Sequence, residues 1–264
     1  MKPLNGLWIT DPSRKVLCDD YLGRLKDLGF DSISVMIDKM SERWDPTWRR
    51  SHIQRLCSMA IDHDLEVVLT VWPSPNVPQI NRMMGDLSQL IRFGAVGVEL
   101  DVEGLWYVQG GDGRRSLHPG YEECGEYLMD RILSICDPSD VRVELTTHLG
   151  HREMTEDAVM APRCHRLVPQ AYSVARGPNG LHYSWGHKIR GPGHAQRLAK
   201  KLSERVEGYH RLSMGLAAWY QNWPGHTVKE AMQVAYDAAL EAEPFEIKWW
   251  DSRHLLASGV YIPT

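Results

Sequence analysis

Residues Gly97-Val98-Glu99-Leu100-Asp101-Val102-Glu103 alternate aliphatic and acidic side chains. In a strand, residues two apart share a face and stand roughly 6.5 Å apart. Glu99, Asp101 and Glu103 then crowd one side while Val98, Leu100 and Val102 pack under the other. Like charges that close repel, and burying them is costly unless they pair, protonate or meet a ligand. Two chemistries suit such a cluster: proton transfer by a carboxyl pair, or the binding of a metal ion. A merely solvated acidic face fits poorly, because the other strands read as buried on both sides.

A strand needs neighbours, and the rest of the chain supplies them. Strand-like runs at 4–10, 32–37, 66–71, 96–102, 141–147, 166–172, 212–219 and 246–250 alternate with helical periodicity at 13–28, 47–63, 78–93, 121–136, 155–160, 195–207 and 228–241. Short apolar strands alternating with helices imply a parallel sheet. Eight repeats predict an α/β fold, a single (β/α)8 TIM barrel spanning 1–264. Only 253–258 remains for the eighth helix, which is expected to be short or irregular. A doubly wound open sheet shares this alternation, but no glycine-rich nucleotide loop follows the first strand. Gly29 and Gly94 fit helix stops, and Asp45-Pro46 and Thr227 fit helix starts.

In such barrels the reacting groups sit at the C-terminal strand ends. In order, those ends carry Trp8 and Thr10; Asp38; Trp72; Asp101, Glu103 and Trp106; Thr146 and His148; Gln170 and Tyr172; Trp219 and Tyr220; and Trp249, Trp250 and Asp251. The strand N-termini are expected to be aliphatic. Ten Trp and ten Tyr stand against three Phe, a balance that suits surfaces half apolar and half wet. Carboxylates walled by tryptophan suit glycosidic-bond cleavage, which needs an acid, a group supporting the oxocarbenium-like centre, and platforms for the sugar. The expected substrate contacts are Trp8, Asp38, Trp72, Trp106, His148, Gln170, Trp219, Trp249, Trp250 and Asp251.

The stretch Gly97-x-Glu99-x-Asp101-x-Glu103 resembles the signature strand of family 18 glycoside hydrolases, chitinase-type barrels whose fourth strand ends in Asp-x-Glu. The resemblance implies that Glu103 is the proton donor. It makes Asp101 the group that orients the substrate's N-acetyl, which acts as internal nucleophile. Gln170-Ala171-Tyr172-Ser173 resembles that family's Met-x-Tyr-Asp and puts its tyrosine on Tyr172. Trp249 or Trp250 resembles the eighth-strand tryptophan that floors the sugar site. The chain departs from the pattern at Val96, Glu99 and Ser173, and its third strand lacks the glycine-rich ending. Family 25 lysozymes also end strand four in Asp-x-Glu, but carry an Asp on strand one where this chain has Trp8.

The implied activity is cleavage of an amino-sugar polysaccharide, peptidoglycan or chitin, by a protein similar in build to phage endolysins, with no cofactor. Asp101 is expected to stay ionised and so keep the proton on Glu103. If water attacks directly, Asp38 or Asp251 would be the second carboxylate.

A metal-dependent barrel, a sugar isomerase or deacetylase-like hydrolase, is the rival reading. It would use Asp101, Glu103, His148 and Asp251, with Glu99 and Glu144 as further ligands. No His-x-His ends the first strand, and His148 is expected to hydrogen-bond a carboxylate, so no metal is predicted. A non-catalytic sugar-binding barrel would require loss of the acid, and Glu103 is present.

A net charge of −4 without a basic block argues against nucleic acid. No apolar run approaches the roughly 20 residues of a membrane span. Residues 1–6 lack a signal-peptide segment, so the expectation is a cytoplasmic monomer that reaches the cell wall after holin-type release. Five scattered cysteines read as reduced structural thiols. The loop at 108–119 is expected to border the cleft, and that at 176–193 to be either a polysaccharide wall or a mobile surface excursion.

Overall fold

The computed structural model describes residues 2–10, 18–38, 43–109, 115–147, 159–170, 212–217, 227–240 and 243–250. The chain first lays down β1 (Leu4–Ile9), α1 (Asp19–Asp27), β2 (Ser32–Met36), α2 (Arg50–Asp62), β3 (Glu66–Val71), α3 (Val77–Leu90) and β4 (Gly97–Asp101). A hairpin of β5 (Tyr107–Gln109) and β6 (Arg115–Leu117) follows. Then come α4 (Tyr121–Cys136), β7 (Arg142–Thr147), β8 (Arg166–Pro169), β9 (Ser213–Ala217), α5 (Val228–Leu240) and β10 (Glu246–Trp250). Eight strands pair in parallel in the order β8-β7-β4-β3-β2-β1-β10-β9. The two ends of that order meet through parallel bridges, Leu167 to Leu212 and Gln170 to Gly215. The sheet is a (β/α)8 barrel, as its alternation predicts.

The period of two sorts each strand into an outer and an inner set. Outward residues such as Leu7, Ile33, Leu69, Leu100, Leu145, Leu216 and Ile247 pack with Leu22, Leu56, Met83, Leu87, Leu128 and Ile132 of the helices. Full burial of each such side chain stabilises by about 1.5–3 kcal/mol, so this layer holds the barrel closed. The inner set corrects the expected aliphatic strand N-termini. Ser32, Ser34, Glu99, Glu144, Arg166, Ser213, Glu246 and Lys248 are all buried. They fill the axis with ions and hydroxyls where branched aliphatics are usual.

Gly29 and Gly94 take positive φ, +88° and +102°, as helix stops. Thr227 and Glu230 bond reciprocally at the start of α5: Thr227 N–H donates to Glu230 Oε2 at 2.7 Å, and Glu230 N–H to Thr227 Oγ1 at 3.2 Å. Asp45-Pro46 does not start a helix. Pro46 pairs with Asp38 and α2 begins at Arg50. Of the loop expected at 108–119, residues 108–109 and 115–117 belong to the antiparallel β5–β6 pair, while 110–114, 176–193 and 253–258 lie outside the described residues.

Candidate active site

β4 carries Glu99 and Asp101 on its inner face, and Glu103 follows two residues past its end. Glu103 Oε1 accepts a hydrogen bond from Gln170 Nε2 at 2.6 Å, joining the ends of the fourth and sixth barrel strands. Asp101 is buried and hydrogen-bonded to Glu103, while its Oδ1 is buried without a partner. Burial first, then the charges of Glu103, Glu99 and Asp38, push the Asp101 carboxyl well above the usual range. Its surroundings thus favour a protonated Asp101, correcting the expectation that it stays ionised: carboxylates sharing a buried site cannot all ionise. Asp38 lies beside the pair, its Oδ2 accepting the Trp72 backbone N–H at 2.8 Å.

Below this rim lies a layer of ion pairs. Lys248 Nζ donates to Glu99 Oε2 at 2.5 Å, to Ser34 Oγ at 3.0 Å and to Glu144 Oε2. Arg142 Nε reaches Glu144 Oε1 at 2.6 Å, and Arg166 lies 3.4 Å from both Glu144 and Glu246. Burial opposes the charge on Lys248, but Glu144, Glu99 and Glu246 outweigh it and push the ammonium pKa up. Burial likewise opposes the Glu144 carboxylate, yet Lys248, Arg142 and Arg166 hold it down to about 2. Glu99 and Glu144 are therefore committed to a lysine, which removes two ligands from the metal reading. Among the described residues no group of three His, Cys, Asp or Glu is arranged to hold a metal ion.

The tryptophans divide by strand face. Trp8 Nε1 donates to Glu99 Oε1 at 2.6 Å, and its ring meets Trp250 edge-on with centroids 5.8 Å apart. The ring lies so close over Gly215 that a Cβ there would stand 2.8 Å from Trp8 Cη2. Trp72, half-buried, has its ring against Gly104 just past Glu103. Three expected contacts are corrected, and Trp8 is the first, since its ring is itself buried. Trp249 points outward, fully buried and stacked on Tyr236 of α5 at 6.4 Å, because neighbouring strand residues face opposite ways. Trp106 is fully buried, its Nε1 donating to Pro73 O at 2.7 Å and its ring edge-on to Tyr121. None of the three offers a face to a ligand.

His148, Tyr172, Trp219 and Asp251 lie outside the described residues. The sequence reading overlooked Lys248, Arg142, Arg166 and Glu246. Their signal was the same period of two that exposed β4, in Arg142-x-Glu144 and Glu246-x-Lys248-x-Trp250.

No protein-family model matches the chain, and no curated protein matches it. Solved structures do. A GH5_18 from Bifidobacterium longum subsp. infantis superposes with a TM-score of 0.67 at 10% identity, covering 96% of this chain and 70% of that one. The Bacillus cereus spore cortex-lytic enzyme SleL gives 0.62 at 11% identity, covering 94% and 70%. A class V chitinase from Pseudomonas fluorescens Pf-5 gives 0.62 at 12% identity and covers 95% of each chain. At such identities the likeness establishes shared architecture: the chain has the barrel fold on which these proteins are built.

Proposed function

We infer that the protein is a glycoside hydrolase acting on an amino-sugar polysaccharide of the peptidoglycan or chitin kind. The observation that carries this reading is the hydrogen-bonded Asp101–Glu103 carboxyl pair at the barrel rim, in which burial and the neighbouring carboxylates push the Asp101 carboxyl up. The half-buried Trp72 has its ring against Gly104, the residue after Glu103. Neighbours that include a cortex-lytic enzyme and a chitinase support the same substrate class.

The pair supplies one mobile proton. Burial favours it on Asp101 in the empty site. Asp101 Oδ1 lacks a protein partner, and an acetamido N–H of the bound sugar would fill that place. A donor there favours the Asp101 anion, so the proton moves to Glu103. Glu103 then gives it to the glycosidic oxygen as the bond breaks, while the acetamido oxygen attacks the anomeric carbon. Water opens the resulting ring intermediate, giving its proton back to Glu103, and the pair is restored.

The test is incubation with peptidoglycan and with chitin oligomers, reading new reducing ends by mass spectrometry. Glu103→Gln should retain the fold and ligand binding but lose turnover. Cleavage of neither polymer, or near-normal activity in that variant, would overturn the assignment.

A further inference from the structure

We propose that Asp38 is a positioning residue of the rim: its carboxylate fixes the end of β3 against the Glu103 turn and holds a negative charge beside Asp101. The inference rests on the glycosidase reading of the Asp101–Glu103 pair and gives that pair a support from a neighbouring strand.

The hydrogen-bond ladder between β2 and β3 ends in a substitution. Ile37 N–H donates to Thr70 O at 3.0 Å, and in a regular parallel ladder Ile37 O would then accept from Trp72. That carbonyl instead accepts the Thr47 N–H at 3.0 Å, from the loop before α2. The Trp72 N–H turns to Asp38 Oδ2 at 2.8 Å. A buried backbone donor without an acceptor is costly, so Asp38 satisfies what the departing chain leaves open. Asp38 is itself only 6% exposed, and its backbone pairs with Pro46 of the same loop. One residue thus joins β2, the loop after it and the end of β3.

Trp72 carries the constraint to the acid. Pro73 O accepts the Trp106 indole N–H at 2.7 Å, so the chain at Trp72 is tied on both flanks. The Trp72 ring lies against Gly104, where a Cβ would stand 3.3 Å from Trp72 Cζ2. Gly104 takes a positive φ of +38° directly after Glu103. Moving Trp72 therefore moves the turn that presents the Glu103 carboxyl.

The second effect is electrostatic. Asp101 faces Glu99 and Glu103 of its own chain segment and Asp38 from the end of β2. Trp72 past β3, and Thr146, the partner of Asp101 on β7, bring no charge. Lys248, the cation below, is committed to Glu99 and Glu144. The Asp38 carboxylate therefore adds to the burial that keeps a proton on the pair.

Two variants separate the contributions. Asp38→Asn keeps an oxygen for the Trp72 N–H and removes the charge, whereas Asp38→Ala removes both. NMR titration of the Asp101 carboxyl carbon and hydrogen exchange of the Trp72 backbone N–H are read beside the pH profile of kcat.

In both variants the pH profile and the Asp101 titration should move to lower pH, because a neighbouring negative charge is gone. The Trp72 N–H should exchange slowly in the parent and in Asp38→Asn, and fast in Asp38→Ala. At its own optimum Asp38→Ala should turn over about tenfold more slowly than Asp38→Asn, the scale of one lost hydrogen bond. An Asp101 titration that stays in place in Asp38→Asn would overturn the proposal. Equal kcat with equal Trp72 exchange in the two variants would overturn it too. If Asp38→Ala does not fold, the titration of Asp38→Asn and its Trp72 exchange decide alone. Should the parent cleave neither polymer, the glycosidase reading fails by itself. The two NMR readings then decide whether Asp38 holds the end of β3 and acts on Asp101.

Discussion

Gln170 Nε2 donates to Glu103 Oε1 at 2.6 Å, so an uncharged side chain from β8's end holds one oxygen of the proposed acid in place. Glu103 is also hydrogen-bonded to Asp101, so its carboxyl is held by the ends of two strands. On the proposed reading Gln170 is a positioning residue for the acid.

Gln170→Leu removes the donor while keeping much of the volume. The loss of one hydrogen bond to a charged group is worth about 1.5–3 kcal/mol, hence kcat should fall about tenfold to a hundredfold. KM should move little, since the bond is to the acid and not to the sugar. Steady-state kinetics on the cleaved oligomer check this. A rise in KM at constant kcat would instead make Gln170 a substrate contact alone.

Asp101 gives a pH-dependent stability of definite sign. Its folded-state pKa is raised by burial and by Glu103 and Glu99, so the folded protein holds this proton more tightly than the unfolded chain. The stability it contributes is full below the unfolded value, about 3.9, and is lost as pH rises through the folded value. Asp101→Asn copies the neutral form. Its Tm should equal the parent's near pH 4 and exceed it at pH 8, while cleavage is lost. Thermal melts at both pH values decide; a variant less stable than the parent at pH 8 would mean that Asp101 is ionised and paired.

The barrel was legible because the periodicity is local: Gly97–Glu103 and seven like segments reveal strands whose partners follow from parallel closure. The same alternation placed Asp101 and Glu103 together at one rim. What it could not convey was who pairs with whom across the axis. Lys248 is 149 residues from Glu99 and 104 from Glu144, and such pairings depend on the stagger of the strands around the barrel. Asp101's protonation was misjudged for the same reason, because burial and three other carboxylates act on it together. Trp249 and Trp250 are adjacent in sequence, and the facing of β10 alone separates them.

Glu144 should behave opposite to Asp101. Lys248, Arg142 and Arg166 overcome its burial and hold it down to about 2, so its contribution is present above the ordinary carboxyl value and lost as pH falls through about 2. Glu144→Gln strands buried cations and should cost about 3–5 kcal/mol at pH 7. The deficit should shrink as pH approaches 2. Urea unfolding at pH 7 and pH 3 measures both; a deficit independent of pH would assign Glu144 a packing role in place of an ionic one.

The two adjacent tryptophans of β10 should separate stability from recognition. Trp249 is fully buried between the barrel and α5, stacked on Tyr236 with an interplanar angle of 13°. Its replacement by alanine opens a cavity in the layer that closes the barrel, with an expected loss of about 3–5 kcal/mol. Trp250 lies on the inner face against Trp8, at the rim and only partly buried. Its replacement should leave the melting temperature within a few degrees and weaken oligosaccharide binding about tenfold, roughly 1.4 kcal/mol. Parallel melts and calorimetric titrations with chitin oligomers resolve the two effects. If Trp249→Ala lost binding at full stability while Trp250→Ala unfolded, the facing of β10, and with it the inner position of Lys248, would be reversed.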